Sequence, residues 1–308
     1  MDRLAEVAQT DDTQGTGGTV RPRPTLRVAD WAETRQTLHM WLQIIGKIRM
    51  INAAPLNHYW HVTLVVTPRG LSTGHVSDAA GAFDIEFDFV AHELVVRRDD
   101  GRSASLPLES MAVADFFERV RSICASLGID TRIHAAPNEV DPAIPFAEDR
   151  VHATYVPEDA SAFWRQLVDA NHALQTFRGG FGGKSSPVHF FWGAMDLAVT
   201  RFSGRPAPEH PGGVPNCPDD VMVESYSAEL SSAGFWPGGG DEGAYYSYMY
   251  PEKPGYRAAA VPAGAFYDEQ LGEYLLPYET VRLAEDPEAL VQEFLTATFE
   301  AARTTAEW

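Results

Sequence analysis

Cysteine is scarce in this chain: the 308 residues include only Cys124 and Cys217. Cys124 lies among apolar residues at helical spacing, whereas Cys217 lies in a stretch rich in proline and glycine, and no C-x-x-C motif is present. We therefore expect neither a disulfide framework nor a cysteine-based zinc or redox site.

Basic residues are also few, with 24 Lys and Arg against 43 Asp and Glu, which gives a formal net charge of −19. No run of Lys or Arg occurs anywhere. A field of this sign repels phosphate backbones and anionic lipid headgroups. The composition therefore predicts no nucleic-acid partner and no membrane partner, and it indicates no particular oligomeric state.

Long apolar runs are missing as well. The N-terminal segment lacks the apolar core of a signal peptide, and no stretch reaches the roughly 18 apolar residues that a membrane-spanning helix needs. We expect a cytoplasmic protein of bacterial type. Residues 1–28 are rich in Thr, Gly, Asp and Gln, and we expect them to form a disordered tail.

Local patterns beyond this tail predict an α+β fold. Asp30 and Glu33 have the spacing of a capping box, and helical periodicity follows as far as Ile48. The segment 61–67 has the composition of a strand, and Phe83 to Phe89 alternates apolar and acidic residues with a period of two. A second block of the same kind includes an apolar strand predicted over 188–202 and a last helix opened by Asp286-Pro287.

The order of motifs in the two blocks indicates an internal duplication. The paired segments follow one another in the same order: Gly46-Lys47 with Gly183-Lys184, Pro55–Trp60 with Pro187–Trp192, and Leu106–Ser110 with Leu276–Thr280. We predict two related halves, each an antiparallel sheet flanked by helices, packed as an intramolecular pseudo-dimer. The expected boundaries are a tail at 1–28, a first half at 29–137, a linker at 138–159, and a second half with inserted loops at 160–308.

No motif specifies a reaction or a cofactor. The segment Gly179–Ser186 ends in Gly-Lys-Ser, but Arg178 stands where a phosphate-binding loop requires glycine, and a helix rather than a strand precedes it. His58 and His61 lie three apart on a predicted strand, so they point to opposite faces and cannot easily bind one metal. We therefore expect no metal and no cofactor.

The candidate site centres on Asp196, a carboxylate within an apolar predicted strand. Such a group needs a partner or a function, and the predicted loop 231–240 contributes further polar and aromatic residues. The candidate ligand-binding residues are Asp196, Arg201, Arg205, His210, Trp192, Ser231, Ser232 and Trp236. Arg201 and Arg205 are the nearest basic candidates in sequence for the partner of Asp196, and a backbone or serine donor from 231–240 is the alternative. A structural interpretation stays open beside the ligand site: a buried Asp–Arg pair and a loop that packs its own aromatic rings.

Several segments together resemble a known bacterial family, the domain of unknown function 5996. These segments are WLQIIGKIR, NHYWHVTLVVTPRGL, FDIEFDF, SPVHFFWGAMDLAVTRFSGR, HPGGVPN and SSAGFWPGGG, and the resemblance extends from Trp31 to the last helix. It implies no activity, no cofactor and no catalytic residue.

Two functions of different classes follow from these observations. The first is a small-molecule binder or an enzyme that uses loops of the second half. The second is a non-catalytic protein-binding module whose aromatic surface contacts a partner. They differ in where Trp192, Phe235 and Trp236 lie, because a ligand site needs a concave pocket and a docking surface needs an open face.

Overall fold

A computed structural model describes residues 22–308 of the chain. Six α-helices connect or flank two sheets, and two short 3-10 helices precede strands. The helices are α1 (Ala32–Asn52), α2 (Val113–Ser126), α3 (Pro157–Gly179), α4 (Asp219–Ser225), α5 (Tyr278–Leu283) and α6 (Pro287–Thr305), and the 3-10 helices are Asn57–Val62 and Tyr256–Ala258. None of the helices in this part of the chain combines the length and the apolar content needed to cross a membrane.

Two six-stranded antiparallel sheets form the β structure. The first sheet has the order β1-β2-β4-β5-β6 with β3 paired to β4, and the second has the order β11-β12-β10-β9-β8-β7. The strands of the first sheet are β1 (Val65–Val66), β2 (Gly70–Ser72), β3 (Val76–Asp78), β4 (Gly81–Asp88), β5 (Glu93–Arg98) and β6 (Ser103–Pro107). The strands of the second sheet are β7 (His189–Phe191), β8 (Asp196–Pro206), β9 (Ala228–Trp236), β10 (Ala244–Tyr250), β11 (Phe266–Asp268) and β12 (Glu273–Pro277).

This architecture confirms the mixed fold class and its two antiparallel sheets flanked by helices. In each sheet most neighbouring strands are consecutive in the chain, because hairpin connections favour antiparallel neighbours. The two sheets meet where Leu64 and Phe190 exchange backbone hydrogen bonds of 2.8 and 2.7 Å. The seam between the sheets therefore runs beside β1 and β7.

Helix α1 lies at the centre of the shared core. Its buried residues are distributed around the helix and include Trp41, Ile44 and Lys47, as expected for a helix packed on several sides. A single apolar cluster contains α1 together with buried residues of both sheets. The two sheets therefore share one apolar core with this helix.

Four local predictions from the sequence are wrong. Residues 57–62 form a 3-10 helix where we expected a strand from residue 61, and Trp192 to Met195 form a turn that divides the predicted strand 188–202 into β7 and β8. The predicted loop 231–240 is largely strand β9, since its small residues fit a crowded sheet. Asp30 does not cap α1, because Trp31 occupies the cap position and Glu33 instead accepts a hydrogen bond of 3.0 Å from Thr154.

The predicted tail falls mostly outside the described residues. Within its described part, Leu26 is buried in the core, and Val28 donates a backbone hydrogen bond of 2.8 Å to Asp241. Arg23 lies 3.4 Å from the carboxylate of Asp169. Contacts between this segment and the folded chain therefore begin before residue 28.

Candidate functional site

Asp196 is the first residue of β8, and strand alternation determines which face of the second sheet it occupies. Leu197 and Val199 are fully buried, and Arg201 on the same face packs between rings of α3 and α6. Asp196 points the opposite way, toward the face that these two helices do not cover. Its residue is 9% exposed, so solvent reaches it only through a narrow opening.

Tyr246 of β10 is the hydrogen-bond partner of Asp196. Its phenolic hydroxyl donates to the Asp196 carboxylate across β9, where Gly234 stands opposite Tyr246 in register. A Cβ on Gly234 would lie 2.4 Å from the Tyr246 oxygen and 2.2 Å from the carbonyl oxygen of Leu197. Only glycine leaves room for the tyrosine to reach the aspartate.

Two further tyrosines continue this surface. The ring of Tyr248 stacks on that of Tyr246, with centroids 6.1 Å apart and planes inclined by 19°. Tyr226, which directly follows α4, hydrogen-bonds through its hydroxyl to that of Tyr248 at 2.8 Å. The long connection after β8 thus lies over the outer face of the second sheet and encloses the tyrosines.

Glu139 and Glu273 complete an acidic group around Asp196. Glu273 begins β12, and Glu139 comes from the segment between the two halves, with its carboxylate against Gly193. A Cβ on Gly193 would lie 2.0 Å from a Glu139 oxygen. We call this group of side chains the tyrosine recess and define it by Glu139, Asp196, Tyr226, Tyr246, Tyr248 and Glu273.

Electrostatic coupling shows that these groups lie close together. Desolvation raises the pKa of Asp196 to about 6, although the Tyr246 hydrogen bond opposes the shift. Desolvation and the Asp196 charge raise the pKa of Glu139 to about 7, and desolvation with the charges of Asp196 and Asp268 raises that of Glu273 to about 7. Glu139 is an exposed residue, and the desolvation acts on its carboxylate, which lies against Gly193.

These pKa values determine what the tyrosine recess can do chemically. Carboxyl groups that titrate between about 6 and 7 both accept and release protons near neutral pH, which general acid–base chemistry requires. Among residues 22–308 no three His, Cys, Asp or Glu side chains are arranged to hold a metal ion. The arrangement therefore suits proton exchange or the binding of a cationic or hydroxylated molecule.

Three residues in or next to the tyrosine recess have strained backbone, as do His58, Tyr59, His92 and Glu307 elsewhere. Glu139, Met195 and Asn216 adopt positive φ angles of 59°, 60° and 52°, which non-glycine residues rarely do. The backbone N–H of Glu139 donates to Pro215 at 2.8 Å, and the Asn216 amide donates to Val140 at 2.6 Å. Such strain is often found at functional sites, where surrounding contacts maintain it.

A polar stripe on α1 positions two walls of the recess. His39 contacts the carbonyl oxygens of Trp192 and Gly193 at 3.0 and 2.8 Å. Gln43 exchanges two hydrogen bonds of 2.8 Å with the backbone of Asn138. The Lys47 ammonium donates to the side-chain oxygen of Asn138. Because Asn138 precedes Glu139, these contacts with helix α1 fix the position of a residue of the recess.

Two lysine–tryptophan contacts join segments that are far apart in the chain. The Lys47 nitrogen lies 5.5 Å from the ring centroid of Trp192, and the Lys184 nitrogen lies 5.7 Å from that of Trp60. Burial lowers the pKa of Lys47 to about 8. These two cation–π contacts lie at the seam, beside the recess.

The predicted site residues divide between the two faces of the second sheet. Arg201 lies on the inner face, where its guanidinium stacks 3.5 Å from the Phe177 centroid, and Ser231 is its neighbour in register. The proposed pairing of Asp196 with Arg201 is therefore wrong, because an odd spacing along a strand separates the faces. Arg205 is equally wrong as a partner, since it binds Glu229 at 2.6 Å.

The remaining predicted residues lie on or near the outer face. Ser232 bonds to Thr200 at 2.9 Å, and His210 lies against Tyr226 with centroids 4.6 Å apart. Trp236 packs in a small apolar cluster with Tyr246. Trp192 is buried, and its indole donates to the Val62 carbonyl at 2.6 Å.

Three aromatic residues were expected to distinguish a pocket from an open docking face. Phe235 is fully buried on the inner face, and Trp192 is 6% exposed under Lys47. Trp236 alone is partly exposed, within the small cluster on the outer face. These rings do not form the open aromatic surface that a protein-binding module would present.

The sequence interpretation missed most of the tyrosine recess. Tyr246 and Tyr248 lie two apart in a predicted strand, so period-two alternation was the signal that could have placed them on one face. Glu139 carried no such signal, since it lies in an irregular segment interpreted as a linker. Glu273 lies at a strand end, more than seventy positions from Asp196.

The first sheet provides an internal comparison. Its strand β4 also carries carboxylates, but Arg97 binds both Asp84 and Glu86 at 2.8 Å, and Arg69 pairs with Asp88. No basic side chain among residues 22–308 comes within ion-pair distance of Glu139, Asp196 or Glu273. The acidic groups of the recess thus differ from those of the first sheet in lacking a cation.

Comparison with known proteins identifies a family and no activity. The model of a family of unknown function, DUF5996, matches residues 23–308. No curated protein and no solved structure matches the chain.

Proposed function

The chain belongs to the DUF5996 family, and we propose that it binds a small organic cation in the tyrosine recess. One observation carries this proposal: the electrostatically coupled carboxyl groups of Glu139, Asp196 and Glu273 have no basic partner in the described chain. The same chain pairs the carboxylates of β4 with arginines. A cationic ligand would take the place of those arginines.

The walls of the recess favour an organic cation over a simple ion. Stacked Tyr246 and Tyr248 present aromatic surface, which attracts cations and covers apolar carbon. Hydroxyl groups of Tyr226 and Tyr248 can donate to or accept from a polar substituent. A few converging polar groups on aromatic walls are typical of small-molecule sites.

The proposal predicts how the carboxyl groups respond to a ligand. A bound cation favours their charged forms, so the pKa of Asp196 and of Glu139 would fall when the site is occupied. Desolvation without a partner cation keeps both pKa values high in the free protein. The free-energy cost of desolvating these carboxyl groups in the free protein is offset when a cation binds.

A thermal-shift screen tests the proposal. A library of small metabolites, sorted by charge, is added to the protein at pH 7.5, and a ligand that binds only the folded chain raises its melting temperature. We expect cationic amines and guanidines to be enriched among the stabilising compounds. Enrichment of neutral or anionic compounds would contradict the proposal.

We further propose that the two halves, 29–137 and 160–308, are related by duplication around the seam. Support comes from the similar strand orders and from the edge contact between Leu64 and Phe190. The reciprocal lysine–tryptophan contacts, Lys47 with Trp192 and Lys184 with Trp60, involve motifs paired in the sequence. The expected cytoplasmic location and the absence of a nucleic-acid partner stay predictions, supported by the net charge of −19.

A further inference from the structure

A concavity lies at the start of α1, outside the tyrosine recess. Its volume is about 420 Å³, and it forms where α1 meets the connection between β9 and β10. The residues that define it are Arg27, Asp30, Arg35, Gly240 and Asp241. We call it the arginine pocket.

The two arginines of this pocket have no carboxylate partner. Within residues 22–308 neither the Arg27 nor the Arg35 guanidinium takes part in an ion pair or a hydrogen bond, although acidic residues outnumber basic ones almost two to one in the chain. The Nε atom of Arg35 is inaccessible to solvent and has no acceptor. The terminal nitrogens of Arg35 also lack an acceptor but are open to solvent, so they are the atoms that an acceptor from a ligand can contact.

Burial and close packing restrict Arg35. Desolvation lowers its pKa, and one terminal nitrogen lies 3.1 Å from where a Cβ on Gly238 would stand. The guanidinium is thus packed against a glycine-rich connection rather than extended into solvent. A preorganised guanidinium loses less entropy when it binds an oxyanion than a mobile one does.

Helix α1 begins beside the pocket and carries one acidic residue, Glu33, in its first turn. Its cap residue, Trp31, provides no side-chain acceptor for the first-turn N–H groups. The positive end of a 21-residue helix therefore faces the same region as the two arginines. Asp30 and Asp241 bring acceptor oxygens to the rim.

We propose that the arginine pocket binds the phosphate group of a small hydroxylated metabolite. Arg27 and Arg35 contact the phosphate oxygens, because paired guanidinium groups match their geometry and charge. Asp30 and Asp241 accept hydrogen bonds from hydroxyl groups on the remainder of the molecule. The site is separate from the tyrosine recess and does not depend on the function proposed there.

Isothermal titration with glycerol 3-phosphate, at fixed ionic strength, tests this assignment on the full chain. Inorganic phosphate, acetate and glycerol serve as reference ligands. We expect glycerol 3-phosphate to bind most tightly, inorganic phosphate to bind more weakly, and acetate and glycerol not to bind. Acetate binding as tight as phosphate binding would overturn the assignment to phosphate, and no binding of either phosphate would overturn the site.

Single substitutions locate the binding. Arg35→Gln and Arg27→Gln should each weaken glycerol 3-phosphate binding at least tenfold. The control is Arg119→Gln, which should not change binding, because Arg119 is exposed on α2 and already forms an ion pair with Glu109 at 3.7 Å. The exposed side chain of Arg27 makes its variant informative even if Arg35→Gln does not fold. Unchanged binding in the Arg27 variant would overturn the proposal.

Discussion

The hydroxyl of Tyr246 donates a hydrogen bond to the carboxylate of Asp196 directly over the backbone of Gly234. Strands β8 and β10, together with Gly234 of the strand β9 between them, therefore specify this contact. It places a tyrosine and a carboxyl group with a raised pKa on the same face of the second sheet. The first predictions concern this pair.

Gly234→Ala should destabilise the protein by about 1–3 kcal/mol, the usual cost of forcing atoms into a packed site. The added Cβ would lie within 2.4 Å of the Tyr246 oxygen and 2.2 Å of a backbone oxygen, so a strand must move. Urea denaturation measures the change. Gly182→Ala is the matched control, since nothing lies within 4 Å of its Cβ, and an equal loss in both variants would contradict the packing account.

Asp196→Asn should change the pH dependence of stability. The pKa of Asp196 is about 6 in the folded protein and near its ordinary value of 3.8 when unfolded, so the folded state binds more protons between these values. The contribution of Asp196 to the free energy of unfolding therefore falls as the pH rises from about 4 to about 6, and it does not recover above pH 6. The variant lacks this loss and should be more stable at pH 8 by up to about 3 kcal/mol.

Urea denaturation from pH 4 to pH 8 measures this difference. The two proteins should have similar stability near pH 4 and diverge as the pH rises. The control is Asp99→Asn, because Asp99 is exposed and lies beside the first sheet. A stability difference between wild type and Asp196→Asn that is constant over this range would contradict the raised pKa.

The elements with strong local patterns were predictable from the sequence. Asp286 caps α6 as expected, with its carboxylate accepting from Ala289, and the alternating segment Phe83 to Phe89 forms most of β4. Strand β9 was not predictable, because Ser231, Ser232 and Gly234 have the composition of a loop. They lie in a strand because small residues let Tyr246 cross it, a tertiary requirement that local propensity does not contain.

The candidate site was predictable only in part, for a similar reason. Asp196 was identifiable because a carboxylate in an apolar segment is unusual. Its neighbours Glu139 and Glu273 come from an irregular segment and from a distant strand, so only the folded chain brings them together. The arginine partners proposed from sequence were nearest along the chain but lie elsewhere in space.

Binding of a cation in the tyrosine recess should release protons. The carboxyl groups of Glu139 and Glu273 have pKa values of about 7, so they are partly protonated at pH 6.5, and a cation favours the charged forms. Affinity should therefore rise with pH between 5 and 8. Titration calorimetry in buffers of different ionisation enthalpy measures the protons released, and an affinity that falls with rising pH would be inconsistent with this account.

Gly46→Ala should weaken the seam between the halves. A Cβ at this position would lie 2.1 Å from the indole of Trp192, so the ring must leave its place under Lys47. Because the displaced indole is part of the common core, we expect a stability loss of about 1–3 kcal/mol. Chemical denaturation tests this, with Gly179→Ala as control, where nothing lies within 4 Å of the added Cβ.

The most direct test of the tyrosine recess compares ligand binding in the wild type and in Glu139→Gln combined with Asp196→Asn. Melting temperatures are measured at pH 7.5 with agmatine, choline and putrescine, and with butanol and butyrate as neutral and anionic references. The account predicts that at least one cation raises the melting temperature of the wild type, that the references do not, and that the double variant loses the effect. Equal stabilisation of both proteins by the cations, or no stabilisation of the wild type by any of them, would contradict it.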